Sequence, residues 1–218
     1  MRQPFITTLI AAVLLPLTSF AEEGDWGAAE INFVKVSLSD EFSLISRSQF
    51  VWRNDFSEFY FWYADAGLAY SITPTWRVEL GYRHAGWRFG EWLQERRPFV
   101  GATWSKNLKG TRLTNQARLE FRDFQWNRRE DFRFRNSIRA EFPWDMLPGG
   151  IKPFIEEEFF YSHNRGDFEM NWLTGGLYFK PAPKVKLKAG YRLITIRAGP
   201  ESRWENRNQI VTGLALFF

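Results

Sequence analysis

Apolar side chains recur in this chain at every second position, the period of an extended strand rather than of a helix. Two stretches show it most clearly. Arg112 to Asp123 sets Leu113, Ala117, Leu119 and Phe121 against Thr114, Gln116, Arg118, Glu120 and Arg122, and Phe132 to Phe142 sets Phe132, Phe134, Ile138, Ala140 and Phe142 against Arg133, Arg135, Ser137, Arg139 and Glu141. The same alternation runs through Phe42 to Arg53, Phe59 to Ile72, Trp76 to Ala85, Arg96 to Lys106, Val185 to Ile194 and Asn208 to Phe218; Ile151 to Tyr161 and Met170 to Phe179 complete ten predicted strands. Polar stretches rich in Pro, Gly, Asn and Asp separate them, with Gly86 to Glu95 reading as a longer connection. Asp25 to Leu38 is extended too, but its alternation is blurred. It is either an eleventh segment in or under the others, or a sign that the strand number is twelve.

Such strands suit a soluble sandwich with the apolar face inward, or a membrane barrel with that face outward. Three features favour the barrel. In the last stretch Leu214, Leu216 and Phe218 share one face, which resembles the C-terminal assembly signal of bacterial outer-membrane barrels. At the other end, Arg2, the apolar run Phe5 to Leu17 and the small-x-small site Ser19-Phe20-Ala21 read as a signal peptide over residues 1–21, leaving residues 22–218 as one domain. Aromatics make up 18% of the chain, with 11 Trp and 22 Phe, as interfacial girdles require. Negative mean hydropathy does not count against this, because only alternate residues of a barrel strand face lipid.

The expected fold is therefore all-β: an antiparallel transmembrane up-and-down β-barrel of about ten strands, twelve being the alternative, in the bacterial outer membrane. With Phe218 periplasmic, the connections near Asn54, Gly86, Gln125, His163 and Pro200 face outside, and those near Asp40, Pro74, Lys109, Pro148 and Pro181 form the shorter periplasmic turns. Trp76, Trp104, Trp144 and Phe218 then make one girdle, and Trp52, Tyr60, Trp62, Phe132 and Tyr161 the other. Glu157 is an exception, a carboxylate on the apolar face, where a bulge or subunit contact is expected. A secreted aromatic-rich β-sandwich binding carbohydrate is the competing architecture.

Several motifs resemble a known family. Arg118-Leu-Glu120-Phe-Arg122, Phe132-Arg-Phe-Arg-Asn-Ser-Ile-Arg139-Ala-Glu141-Phe-Pro-Trp144, Lys152-Pro-Phe-Ile-Glu-Glu-Glu158-Phe-Phe160, Gly175-Gly-Leu-Tyr-Phe179 and Gly190-Tyr-Arg192 are similar to the bacterial domain of unknown function 2490. The resemblance implies an exported outer-membrane barrel and attaches no activity to it. Members often carry Arg after the Asn near position 171, where this chain has Trp172.

The inward face concentrates charge. Pairing Arg122 with Arg133 across the hairpin places Glu120 opposite Arg135 and Gln116 opposite Arg139, with Glu156 and Glu158 of the next strand close to Arg139 and Arg135. Arg118, Glu120, Arg122, Arg133, Arg135, Arg139, Glu141, Glu156 and Glu158 thus form an expected lumen network. Self-paired, it packs a narrow lumen and the role is structural. Unpaired, with Arg47, Arg77, Arg83, Lys186, Lys188 and Arg192 on the remaining wall, it lines a small porin or channel favouring anions. Catalysis is not expected: the chain has 2 His and no Cys, His84 falls on the lipid face, and His163 lies in a loop beside Ser162. No metal or other cofactor is expected. The expected partners are the bilayer and lipopolysaccharide of the outer membrane, the barrel-assembly machinery and small anionic solutes. An excess of 29 basic over 25 acidic residues in an exported protein does not point to nucleic acid.

Overall fold

The computed structural model describes residues 26–125, 129–143, 150–198 and 203–218. The signal-peptide segment, Trp144 and the connections near Pro148 and Pro200 lie outside the described residues. The strands are β1 (Trp26–Ser37), β2 (Phe42–Arg53), β3 (Glu58–Ser71), β4 (Trp76–Phe89), β5 (Glu91–Leu108), β6 (Thr111–Phe124), β7 (Arg129–Glu141), β8 (Lys152–Ser162), β9 (Asp167–Ala182), β10 (Val185–Ala198) and β11 (Arg203–Phe217). They form one closed barrel in which each strand pairs with the next and β1 returns to β11. Closure disposes of the sandwich. It also corrects the strand number from ten, or twelve, to eleven.

The correction has a topological reason. Successive hairpins reverse direction, so an odd number of strands brings the first and last together pointing the same way. β1 accordingly pairs with β11 in parallel, from Trp26 opposite Asn208 to Lys35 opposite Phe217, and antiparallel with β2. Even-numbered closure is the rule for all-antiparallel bacterial barrels, and counting by that rule excluded β1. Its alternation is blurred because it is inverted from Ala29 to Phe33 while Trp26 and Val36 face outward as apolar residues do elsewhere. Ala29, Ile31 and Phe33 turn inward while Glu30 and Asn32 are outward, where the Asn32 amide donates to Glu30 at 3.1 Å. Ala29, Val51, Phe61, Tyr63, Ala85 and Val211 pack together as an apolar sector of the inner wall, and Ile31 leans on it.

Elsewhere the faces are as the alternation predicts. Leu80 is 68% exposed on the outside, whereas Glu120 on the inside is wholly buried. Outward aromatics gather at both ends. Phe42 and Tyr70 meet as tilted rings 4.9 Å apart at the end that carries Trp76 and Phe218, and Trp52, Phe59 and Trp92 form a chain of rings 5.3 Å apart at the other. Tyr60 departs from the predicted girdle. Val51 pairs with Phe61 and Trp52 with Phe59, so Tyr60 is the extra residue of a β-bulge; its ring meets the Arg53 guanidinium at 4.9 Å instead. Glu157 does face outward, accepting from the Asn171 amide at 3.1 Å.

Among the described residues the connections at the Phe218 end, 38–41, 72–75, 109–110 and 183–184, are not the shorter ones predicted, since those at the other end cover 54–57, 90 and 163–166. The supposed long connection Gly86 to Glu95 is instead the paired tip of β4 and β5, turning on Gly90 alone with φ +83°. At the opposite end Lys109 and Gly110 both take positive φ, the tight hairpin turn that matches strand twist.

Candidate functional site

Eleven strands spaced 4.8 Å apart and tilted by about 40° place the wall about 11 Å from the axis. Inward arginines and carboxylates from strands that are not neighbours can therefore meet, and they do. Arg118 on β6 reaches Asp65 on β3 at 3.8 Å and Glu79 on β4 at 3.9 Å. Lys186 on β10 bonds Glu141 on β7 at 2.9 Å, and Lys188 bonds Glu156 on β8 at 3.2 Å. Arg118 to Asp65 and Lys186 to Glu141 each span past two intervening strands, whereas Arg118 to Glu79 and Lys188 to Glu156 step over one.

The waist is built around Glu120. Arg133 donates to it through Nε at 2.9 Å and Nη2 at 2.5 Å, Arg97 lies at 3.5 Å, and Arg118 and Arg135 each lie at 3.9 Å. The last two distances are ionic contacts and too long for hydrogen bonds, which leaves Glu120 Oε1 and Arg118 Nη1 buried without a hydrogen-bond partner. The Arg118 guanidinium lies over the Phe99 ring at 4.0 Å. Below it, Arg47 holds Glu79 with two 2.7 Å bonds and Asp65 with one of 3.1 Å, and Arg83 grips Asp65 at 3.0 and 2.5 Å. Above it, Glu95 takes Arg97, Arg122 at 2.6 Å and the Trp87 indole at 2.8 Å. Arg135 pairs with Glu158. Arg139 lies 3.4 Å from Glu141 and 3.8 Å from Glu156, and donates to the Tyr178 hydroxyl at 3.2 Å.

All nine residues of the expected network are thus inward and joined, but two of their partners differ. Arg122 stands opposite Asp131, and Glu120 opposite Arg133, two residues from the predicted register, because the strands stay paired as far as Phe124 opposite Arg129. Gln116 accordingly faces Ser137 rather than Arg139. Asp65, Glu79 and Arg97 belong to the network as well, and their places on inward faces were readable from the alternation. Glu95 was hidden in the supposed connection. Glu169 fell before the predicted strand Met170 to Phe179, but β9 begins at Asp167, and Phe160 pairs with Met170 and Tyr161 with Phe168, so Glu169 is the extra residue of a bulge. The bulge keeps Phe168 outside, against Tyr161 at 5.7 Å, and aims Glu169 inward at Arg133 (3.1 Å) and Arg122 (3.3 Å). Trp172 is also inward, with the Arg192 guanidinium over its ring at 4.3 Å.

Above the waist, at the end away from Phe218, the lumen widens into a cavity of about 770 Å³. Its lining mixes guanidiniums (Arg53, Arg83, Arg97, Arg122, Arg133, Arg135, Arg165, Arg197, Arg207) with the rings of Tyr60, Phe61, Tyr63, Trp87, Phe89, Phe124, Phe160 and Trp172, and among the described residues contains three carboxylates, Glu130, Asp131 and Glu169. Asp131 is already bonded by Ser162 Oγ at 3.0 and 3.1 Å and by the Asn164 amide at 3.1 Å. Neither histidine shares this space. His84 faces outward against Trp62 at 5.6 Å, and His163 borders an outer groove with Leu119, Phe132, Phe134 and Tyr161.

Residues 26–205 match the model of a family described as Protein of unknown function (DUF2490). No curated protein matches the chain. Among three matching chains of solved structures is an anion-selective porin from Comamonas acidovorans, 11% identical, with a TM-score of 0.39 over 79% of this chain and 57% of the porin. The chain thus spans little more than half the length of that porin.

Proposed function

The chain belongs to the DUF2490 family, and from that membership and the geometry of the barrel we propose an integral outer-membrane protein whose lumen is closed at its waist by ion pairs. The observation that carries this reading is the outer surface. Between the two groups of aromatic rings it presents Leu44, Leu68, Leu80, Val100, Leu119, Ile138 and Leu214 to the surroundings. In water that band is a large unpaired apolar surface; in lipid it is the solvated state. All strands but the 11-residue β8 exceed the 9–11 residues that cross a bilayer, β5 reaching 18, and the surplus lies at the cavity end, where Arg88, Arg96 and Asp123 turn outward. That end is assigned to the cell exterior, where the two arginines can meet phosphates of lipopolysaccharide, and the Phe218 end to the periplasm and the assembly machinery.

Cell fractionation combined with electrophoresis of heated and unheated samples tests the reading. The protein is expected in the outer-membrane fraction with a heat-dependent mobility. A protein found free in the periplasm would overturn it. A second reading, an anion-passing channel, is favoured by Arg77 and Arg192, inward cations with no carboxylate within 4 Å among the described residues.

A further inference from the structure

We propose that the outer cavity is a binding site for an amphipathic organic anion, a molecule with one carboxylate or sulfonate on an apolar body. Its volume, about 770 Å³, lies in the range of small-molecule sites and far exceeds what a single ion needs. Two opposed walls are apolar: Val51, Phe61 and Trp87 on β2 to β4, and Ile194, Ile196 and Phe160 on β10 and β8. An inorganic anion gains nothing from such walls, whereas an apolar body displaces water from both.

The polar part of the lining selects sign. Among the described residues its carboxylates are few, and Asp131 and Glu169 are engaged by Ser162, Asn164, Arg122 and Arg133. At the mouth stand cations outside the waist network. Arg165 has no carboxylate within 4 Å among the described residues, and Arg207 has only exposed Glu205 at 3.5 Å. Their donors are placed to meet an anionic head while the body lies between the walls. A cation would meet guanidiniums on entry, and a neutral molecule would gain the walls without the mouth. The site needs the barrel but not its location, so it can fail while the membrane assignment stands, and the reverse.

Calorimetric titration of the purified full-length barrel with naphthalenesulfonate, naphthylmethanol and naphthylmethylammonium tests the proposal. Saturable binding of one sulfonate per barrel is expected, with the alcohol and the ammonium each about tenfold weaker or worse, a difference of about 1.4 kcal/mol. The double variant Arg165→Glu, Arg207→Glu should weaken the sulfonate by a similar factor while leaving heat-modifiable mobility unchanged. Ile196→Trp, which narrows the gap between the apolar walls without altering charge, should weaken binding of all three probes. Equal affinity for sulfonate and ammonium, uptake that scales with detergent instead of saturating, or indifference to both variants would overturn the proposal.

Discussion

Glu120 shows how a residue can be essential to a fold without stabilising it in net terms. A buried ion pair roughly offsets its own desolvation, but removing one partner strands the other in a dry interior, at a cost of about 3–5 kcal/mol. Arg133 and Arg97 both lean on Glu120, with Arg118 and Arg135 just beyond. Glu120→Gln is therefore expected to lower the temperature at which the unheated gel band converts by roughly 6–15 °C. Replacing the pair together, Glu120→Met with Arg133→Met, should recover part of that loss, because no unpaired charge remains at the bond. A double variant no more stable than Glu120→Gln would show that the guanidinium cluster, not this pair, sets the cost. At this scale the sequence was a good guide to direction and a poor one to partners. Alternation assigned Arg133 and Glu120 to the interior, yet a register error of two residues along β6 and β7 was enough to give Glu120 the wrong arginine.

Among the elements, what could be read depended on whether a strand obeyed strict alternation. β6 and β7 do, and their faces were plain from the chain alone. β1 does not, because its outward Glu30 and Asn32 reverse the pattern, and β9 does not, because the bulge at Glu169 shifts its phase by one. Both departures come from tertiary context. The inner wall beside β1 is apolar, and the waist needs a carboxylate beside Arg122 and Arg133. The β1–β11 seam is the element on which closure depends. Its hydrogen bonds run to the end of the chain, where the Phe218 amide donates to Lys35 and its oxygen accepts from Ser37, both at 2.8 Å. Glu30 and Thr212 are direct partners on the outer face of this seam. Because the chain has no Cys, Glu30→Cys with Thr212→Cys introduces a single possible disulfide at a Cα spacing such bonds accept. Oxidised and then boiled without reductant, this variant should migrate faster than its reduced form, as a chain looped from residue 30 to residue 212. Failure to cross-link in the folded barrel would mean that β1 does not occupy the wall between β2 and β11.

For the whole molecule the question is whether eleven strands enclose a pore. A barrel of this number is wide enough to hold something at its centre, so strand count alone does not close it; the long inward side chains do. Arg118 spans from β6 to β3 beside Glu120, and Lys186 from β10 to β7 nearer the Phe218 end, so the lumen is crossed at two levels. The inner charges do not cancel, since Arg77 and Arg192 lack carboxylate partners within 4 Å among the described residues. Any path that opened would therefore hold anions more readily than cations. Purified protein in planar bilayers is expected to give no steady current. Removing both crossings with Arg118→Ala and Lys186→Ala shortens one spanning side chain at each level and should produce a small conductance with chloride favoured over potassium, since Arg77, Arg83, Arg97 and Arg192 still line the way. If the unaltered protein conducts steadily, the ion pairs must part readily enough for solutes to pass, and the channel reading replaces the closed one. If the double variant conducts with cation preference, the carboxylates rather than the unpaired guanidiniums set the field at the waist.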